Sequence, residues 1–262
     1  MKASGKCDIV YNGESEGDSD MSNNWKDIWS NRVDIDNVDI EQMKRNPKEM
    51  FRFMKKINGF DIVEGGITYD SFINQHKKLA EKLNHRNKCS SVFEIGCGSG
   101  GNLYLFSLSG YQVGGIDYSQ NLLDFADKAV DKDKVLELIC DDAVNVSTDI
   151  RYDAGFSNSV FSYFSDYGYA EGVLEKMIEK CRYSIVLIDV HNLDKKQEFL
   201  DFRRKMIENY DEKYSGLPKL FYPKSFFDDI AKRHNLDVEF YDSDVEGYWN
   251  NPYIYNVCFY KK

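Results

Sequence analysis

The run Val92-Phe-Glu-Ile-Gly-Cys-Gly-Ser-Gly-Gly101 limits what this chain can fold into more than any other stretch. Its apolar start reads as a short buried strand with one carboxylate, Glu94, near the end. Gly96, Gly98, Gly100 and Gly101 then form a loop. Leu103, Leu105 and Phe106 follow as the buried side of a helix. Glycine is required where the backbone takes positive φ or lies against a ligand, because a Cβ would clash there. Asp117 closes the next apolar run, Gln112-Val-Gly-Gly-Ile-Asp, 21 positions after Gly96. A strand, a glycine loop, a helix and an acid at about this distance form the signature of a nucleoside-bearing ligand lying across strand ends.

The glycines alone leave the ligand open, because Gly96, Gly98 and Gly101 also satisfy the dinucleotide spacing of NAD or FAD proteins. Charge separates the options. A dinucleotide brings an anionic pyrophosphate to this loop, where Glu94 would repel it. A sulfonium cofactor brings a cationic sulfur and an ammonium group, which a nearby carboxylate favours. The pattern Glu94-x-Gly96-x-Gly98-x-Gly100 resembles the first motif of class I S-adenosylmethionine-dependent methyltransferases. That resemblance covers roughly residues 89–262. More loosely, the segment from Trp25, the stretch 219–227 and Gly247-Tyr-Trp-Asn-Asn251 resemble small-molecule methyltransferases of bacterial surface-glycan or secondary-metabolite pathways.

Composition narrows the partners. A formal net charge of −10 argues against a nucleic-acid polymer as partner, since phosphate binding needs a concentrated basic surface. It leaves room for a nucleotide-sized anion held by a few local cations. The 18 Tyr and 17 Phe exceed what a minimal core needs and suit an aromatic-lined pocket. No apolar run of about 18 residues is present, so no membrane span is expected. The first residues lack the apolar core of a signal peptide. Six scattered cysteines with no C-x-x-C pair read as reduced thiols of a cytoplasmic protein, with no metal site expected.

Residues 1–24 are rich in Gly, Ser, Asp, Glu and Asn and are expected to be a flexible tail. Residues 25–88, from Trp25 and Trp29 through a helix over Tyr69–His85, are expected to form an N-terminal helical cap. From residue 89, strands at 91–95, 113–117, 135–140, 154–157 and 184–190 alternate with helices, which implies a parallel sheet covered on both faces. The last two strands, 238–241 and 253–260, are joined by a connection too loop-like for a crossover helix and should therefore be antiparallel. The expected fold is α/β: a seven-stranded Rossmann-like methyltransferase sheet with an antiparallel C-terminal strand and the N-terminal helical cap. Residues 192–224 interrupt it as a charged insertion. Phe199, Phe202, Met206 and Tyr210 recur there at helical spacing, as in a lid helix or a solvated outer helix.

The resemblance assigns roles to individual residues. Glu94, Gly96, Cys97, Gly98 and Gly100 belong to its first motif. Asp117 would accept hydrogen bonds from both ribose hydroxyls, the alternative being a helix cap. Tyr118 would lie against the adenine or remain a partly exposed aromatic. Asp142, directly before Ala143, matches the acid that faces the adenine amino group better than Asp141 does. Ser157 and Asn158 fall where these enzymes run past the methionine portion of the cofactor, and Tyr163 would face the acceptor. Asp189 and His191 follow the fifth strand at the cofactor edge. His191 is either a general base for a hydroxyl or a solvated loop histidine. The expected function is methyl transfer from S-adenosyl-L-methionine to a small-molecule acceptor, an oxygen of a sugar, nucleotide-linked or phosphorylated metabolite. N-methylation of a small amine and non-catalytic cofactor binding are the alternatives.

Overall fold

The computed structural model describes residues 39–60 and 66–262. The expected tail over 1–24, the start of the cap with Trp25 and Trp29, and residues 61–65 lie outside the described residues.

Among the described residues three helices precede the sheet: α1 (Ile40–Lys44), α2 (Pro47–Ile57) and α3 (Tyr69–Leu83). Local chemistry sets their ends. Asn46 Oδ1 accepts from the Glu49 N–H just ahead of Pro47, and Thr68 Oγ1 accepts from the Ser71 N–H. Capping of this kind satisfies donors that have no partner inside the helix. α3 stops two residues before the expected His85, because the Asn84 side chain folds back onto the Ala80 carbonyl at 2.7 Å and takes the Tyr111 hydroxyl at 2.9 Å.

The alternating part follows as β1 (Ser91–Ile95), α4 (Gly101–Leu108), β2 (Gln112–Asp117), α5 (Gln120–Ala129), β3 (Val135–Cys140), β4 (Tyr152–Asn158), α6 (Tyr167–Lys180) and β5 (Cys181–His191). The insertion holds α7 (Lys196–Met206) and α8 (Tyr210–Lys213). The chain closes with α9 (Lys224–Arg233), β6 (Leu236–Asp242) and β7 (Ile254–Lys261).

The strands form one seven-stranded sheet in the order β3-β2-β1-β4-β5-β7-β6. β1 to β5 run parallel, and β7 pairs antiparallel with both β5 and β6. Apolar residues of α2 to α5 pack with Val92, Phe156 and Val186 in one core cluster. Those of α6 and α9 pack with Phe93, Ile95 and Leu187 in a second. Neighbouring residues of one strand point to opposite faces, so these two clusters are the two layers over the sheet. The order reverses between β1 and β4, which places the ends of these two strands at the switch point where open α/β sheets bind ligands. The β5–β7 register shifts between Leu187 and Val190, so Asp189 sits on a bulge at that same edge. No helix among the described residues is long and apolar enough to cross a membrane.

Candidate active site

The loop after β1 is built from left-handed residues: Gly96 at φ +71°, Gly98 at +52° and Gly100 at +77°. A Cβ on Gly96 would meet Val160 Cγ2 at 2.4 Å, and one on Gly98 would meet the Asn58 side chain at 2.6 Å. Sterics as well as φ therefore exclude larger residues at these two positions. The loop is pinned from three sides. Gly96 and Cys97 donate to the Ile116 carbonyl, Gly98 donates to Asp117 Oδ2 at 2.8 Å, and Ser99 donates to Asn58 Oδ1 at 2.9 Å. Asn58 directly follows α2, so the N-terminal helices seat directly on this loop.

Glu94 lies beneath the loop and is only 2% exposed. Its Oε1 accepts from Asn102 Nδ2 at 2.6 Å, whereas its buried Oε2 has no partner among the described residues. Burial pushes its pKa up to about 8, against the opposing pull of Asn102 and Lys55. Lys55, on α2, is the neighbouring cation, and burial brings its ammonium down to about 8. His76, packed against Phe106, is held down to about 4 by burial and by Lys55.

Asp117 uses both oxygens on backbone, with Oδ2 on Gly98 and Oδ1 on the Ser119 N–H at 2.9 Å. Burial raises its pKa and these N–H groups oppose the rise. It therefore clamps the glycine loop to the start of α5, and each oxygen keeps lone-pair capacity for a further donor. Tyr118 is half-buried next to it, and burial, with the nearby Asp117 carboxylate adding to it, raises its phenol. Asp141 Oδ1 accepts from Asp142 N and Asn145 Nδ2, serving the turn, while Asp142 and Ala143 are half-buried at the end of β3. Two side chains point away from the loop. Ser157 Oγ donates to the Ile95 carbonyl, tying β4 to β1, and Cys97 packs where a Cβ on Gly115 would meet its sulfur at 2.7 Å. Any contact of these two with a ligand is through backbone. Asn158 is half-buried, with its Oδ1 3.1 Å from Ser159 Oγ.

A buried polar network lies across the strand ends. Asp189 Oδ2 accepts from Ser159 Oγ and from the Tyr248 hydroxyl, both at 2.6 Å, and its Oδ1 accepts from Asn250 Nδ2 at 3.1 Å. Both Ser159 (φ +61°) and Asp189 (φ +63°) are left-handed, a strained conformation for residues other than glycine. Burial raises the Asp189 carboxyl above its ordinary range and the Tyr248 phenol well above its own. His191 is 3% exposed, with its ring between Phe199 and Phe221. Its Nε2 lies 3.3 Å from Asn250 Nδ2, so it acts there as the acceptor, and its Nδ1 has no partner. Burial, aided by Lys219 and Arg203, holds His191 neutral. Tyr163 is half-buried under the Lys219 ammonium, 3.6 Å from its ring centre. In the insertion, Phe202 stacks on Trp249 and Arg203 lies over the same indole.

A cavity lies between the N-terminal helices, the end of β4 and the loop before β7, and neither the glycine loop nor Asp117 lines it. Lys55, Gln75, Asn158, Ser159 and Tyr248 give it polar walls, and Phe60 and Phe72 are among its apolar ones. Sequence reasoning missed Lys55, Ser159, Tyr248 and Asn250. Lys55 could have been found, because it falls on the α2 face that otherwise carries Phe51, Met54 and Asn58 inward.

Residues 93–180 match the family model described as a methyltransferase domain. Over these residues, about a third of the chain, the sequence is similar to a methyltransferase domain. The strand order above and the likeness to solved methyltransferases agree with it. The magnesium protoporphyrin IX methyltransferase from Synechocystis with bound S-adenosylhomocysteine superposes with a TM-score of 0.58 at 12% identity, covering 83% of this chain and all of that one. The plantazolicin methyltransferase BpumL in complex with the same ligand superposes with a TM-score of 0.54 at 18% identity, covering 90% and 93%. At these identities the likeness is one of fold. A curated relative, the malonyl-[acyl-carrier protein] O-methyltransferase of Priestia megaterium, is 32% identical over 109 residues. That match spans 37% of this chain and 38% of the relative's length.

S-adenosylmethionine is the cofactor of this domain class, and the residues present fit it. Among the described residues the Oε2 of Glu94 beneath the glycine loop is unpartnered and is an acceptor suited to a cation. Among the described residues no three metal-ligating side chains converge.

Proposed function

We propose that this protein transfers a methyl group from S-adenosylmethionine to an oxygen of a small-molecule acceptor, a sugar, nucleotide-linked or phosphorylated metabolite, in the cytoplasm. The observation that carries the choice of oxygen is the buried Asp189. It is hydrogen-bonded to two hydroxyls, those of Ser159 and Tyr248, which themselves line the cavity.

In this reading Glu94, Gly96, Cys97, Gly98 and Gly100 hold the methionine end of the cofactor, the last four through backbone. Asp117 takes the ribose hydroxyls, Tyr118, Asp142 and Ala143 border the adenine, and Ser157 and Asn158 pass the methyl by backbone. When bound, the cofactor supplies a methyl already activated by its sulfonium. The protein's task is then to align the acceptor and exclude water. An acceptor hydroxyl against Tyr248 passes its proton to the tyrosine oxygen, while the tyrosine's own proton moves to Asp189 Oδ2. The raised carboxyl pKa makes Asp189 the better base near neutrality. His191 acts through Asn250, which it shares with Asp189, and so positions the carboxylate. Tyr163 borders the acceptor.

The test is incubation with methyl-labelled cofactor and a panel of sugar phosphates, nucleotide sugars, small carboxylic acids and small amines. Label on a hydroxyl oxygen is expected. Label confined to amine nitrogen would overturn the choice of oxygen, and no transfer to any acceptor despite cofactor binding would favour the non-catalytic reading.

A further inference from the structure

Lys55 is the one side chain of the cavity wall that brings a full positive charge into it among the described residues. It is 4% exposed, and no carboxylate among the described residues lies within ion-pair distance of its ammonium. Among the described residues its one hydrogen bond runs to Asn102 Oδ1 at 3.5 Å, and the faces of Phe72, Phe51 and Phe60 surround it at 4.8 to 5.6 Å. A buried ammonium has three donors and is costly to hold without an anion. Glu94 does not fill that role directly, because Asn102 stands between them, donating to Glu94 at 2.6 Å and accepting from Lys55. Among the described residues each group thus keeps unused capacity: Oε2 on Glu94 and the remaining N–H donors on Lys55. Gln75 and Asn158 add neutral polar groups to the same wall.

We propose that Lys55 is the anchor of a carboxylate-binding subsite in this cavity. The inference rests on the cofactor reading above. The carboxylate has two sources consistent with that place: the amino-acid end of the cofactor, or an acid group carried by the acceptor. Bound there, it completes the ion pair that Asn102 keeps Glu94 from making and fills the free donors of the ammonium.

The experiment compares the full-length protein with Lys55→Met, which keeps the apolar stem, and Lys55→Arg, which keeps the charge. S-adenosylhomocysteine and 5′-methylthioadenosine, which lacks the amino-acid end, are titrated calorimetrically. Succinate is then added to the S-adenosylhomocysteine-saturated protein and its melting temperature followed. If the cofactor supplies the carboxylate, Lys55→Met weakens S-adenosylhomocysteine at least tenfold, leaves methylthioadenosine unchanged, and Lys55→Arg restores most of the loss. If the acceptor supplies it, S-adenosylhomocysteine affinity holds and the rise in melting temperature with succinate disappears in Lys55→Met. Equal weakening of both nucleosides, or no change in either arm, overturns the proposal. Should Lys55→Met not fold, Lys55→Gln, which can still donate to Asn102, is read in its place. A wild-type protein that binds neither nucleoside overturns the cofactor reading itself, a result distinct from loss in the variant alone.

Discussion

Replacing Glu94 by Gln should make the protein more stable and its cofactor binding weaker, and the stability gain should depend on pH. Glu94 is buried beneath the glycine loop, and burial lifts its pKa from 4.5 to about 8. A carboxyl whose folded pKa lies above its unfolded value favours the fold fully below the unfolded pKa. That advantage drains away as pH rises toward the folded value, because the unfolded chain gains ionisation that the folded one resists. At about 1.4 kcal/mol per pH unit, the interval from 4.5 to 7 corresponds to roughly 3 kcal/mol by pH 7. Glutamine reproduces the protonated acid. Its carbonyl can keep the bond from Asn102, its amide takes the place of the unpartnered oxygen, and Lys55 keeps the neutral neighbour it has below pH 8. The remaining charges facing this site, Lys55, His76 and Asp117, are common to both proteins and largely cancel in the difference. Thermal melts of wild type and Glu94→Gln at pH 5 and pH 7 measure it. For a chain of this size roughly 2–4 °C accompany each kcal/mol, so Gln should gain several degrees at pH 7 and little at pH 5. A difference that is the same at both pH values, or a variant less stable at pH 7, would refute the burial argument.

Two further outcomes follow from the site. Asp117→Ala removes the acceptor of two backbone N–H groups and should lower both stability, by about 1–3 kcal/mol, and cofactor affinity, read by melting and by titration. A variant of unchanged stability would mean that Gly98 and Ser119 find other partners. Tyr248→Phe and His191→Ala should separate proton transfer from positioning. Tyr248→Phe should cut turnover on a hydroxyl acceptor by roughly 10²-fold with cofactor affinity intact. His191→Ala should lower turnover while leaving in place the acidic limb, where activity falls as Asp189 takes up a proton. Loss of that limb in His191→Ala would make the histidine the base.

The strand–loop–helix unit was readable because each of its signals is local: the glycines that need positive φ, the apolar run carrying Glu94, and Asp117 at the next strand end. The antiparallel β7 was readable from the missing crossover alone. Side-chain direction was not. Ser157 and Cys97 sit at the expected strand ends, yet one ties β4 to β1 and the other packs against β2. The cavity wall was hidden for a different reason. Lys55, Ser159, Tyr248 and Asn250 lie far apart in the chain and meet only when α2, the end of β4 and the loop before β7 converge. Asp189 was named from its position after β5, but its partners could not be, because they depend on a bulge and on two left-handed residues.

The central claim is that the Glu94–Gly100 loop and Asp117 hold a sulfonium nucleoside and not a dinucleotide. Calorimetric titration of the full-length protein with S-adenosylhomocysteine and, separately, with NADH tests it most directly. Saturable binding of S-adenosylhomocysteine at micromolar or tighter affinity, and none of NADH, is the predicted result. Binding of NADH with no heat from S-adenosylhomocysteine would contradict the account.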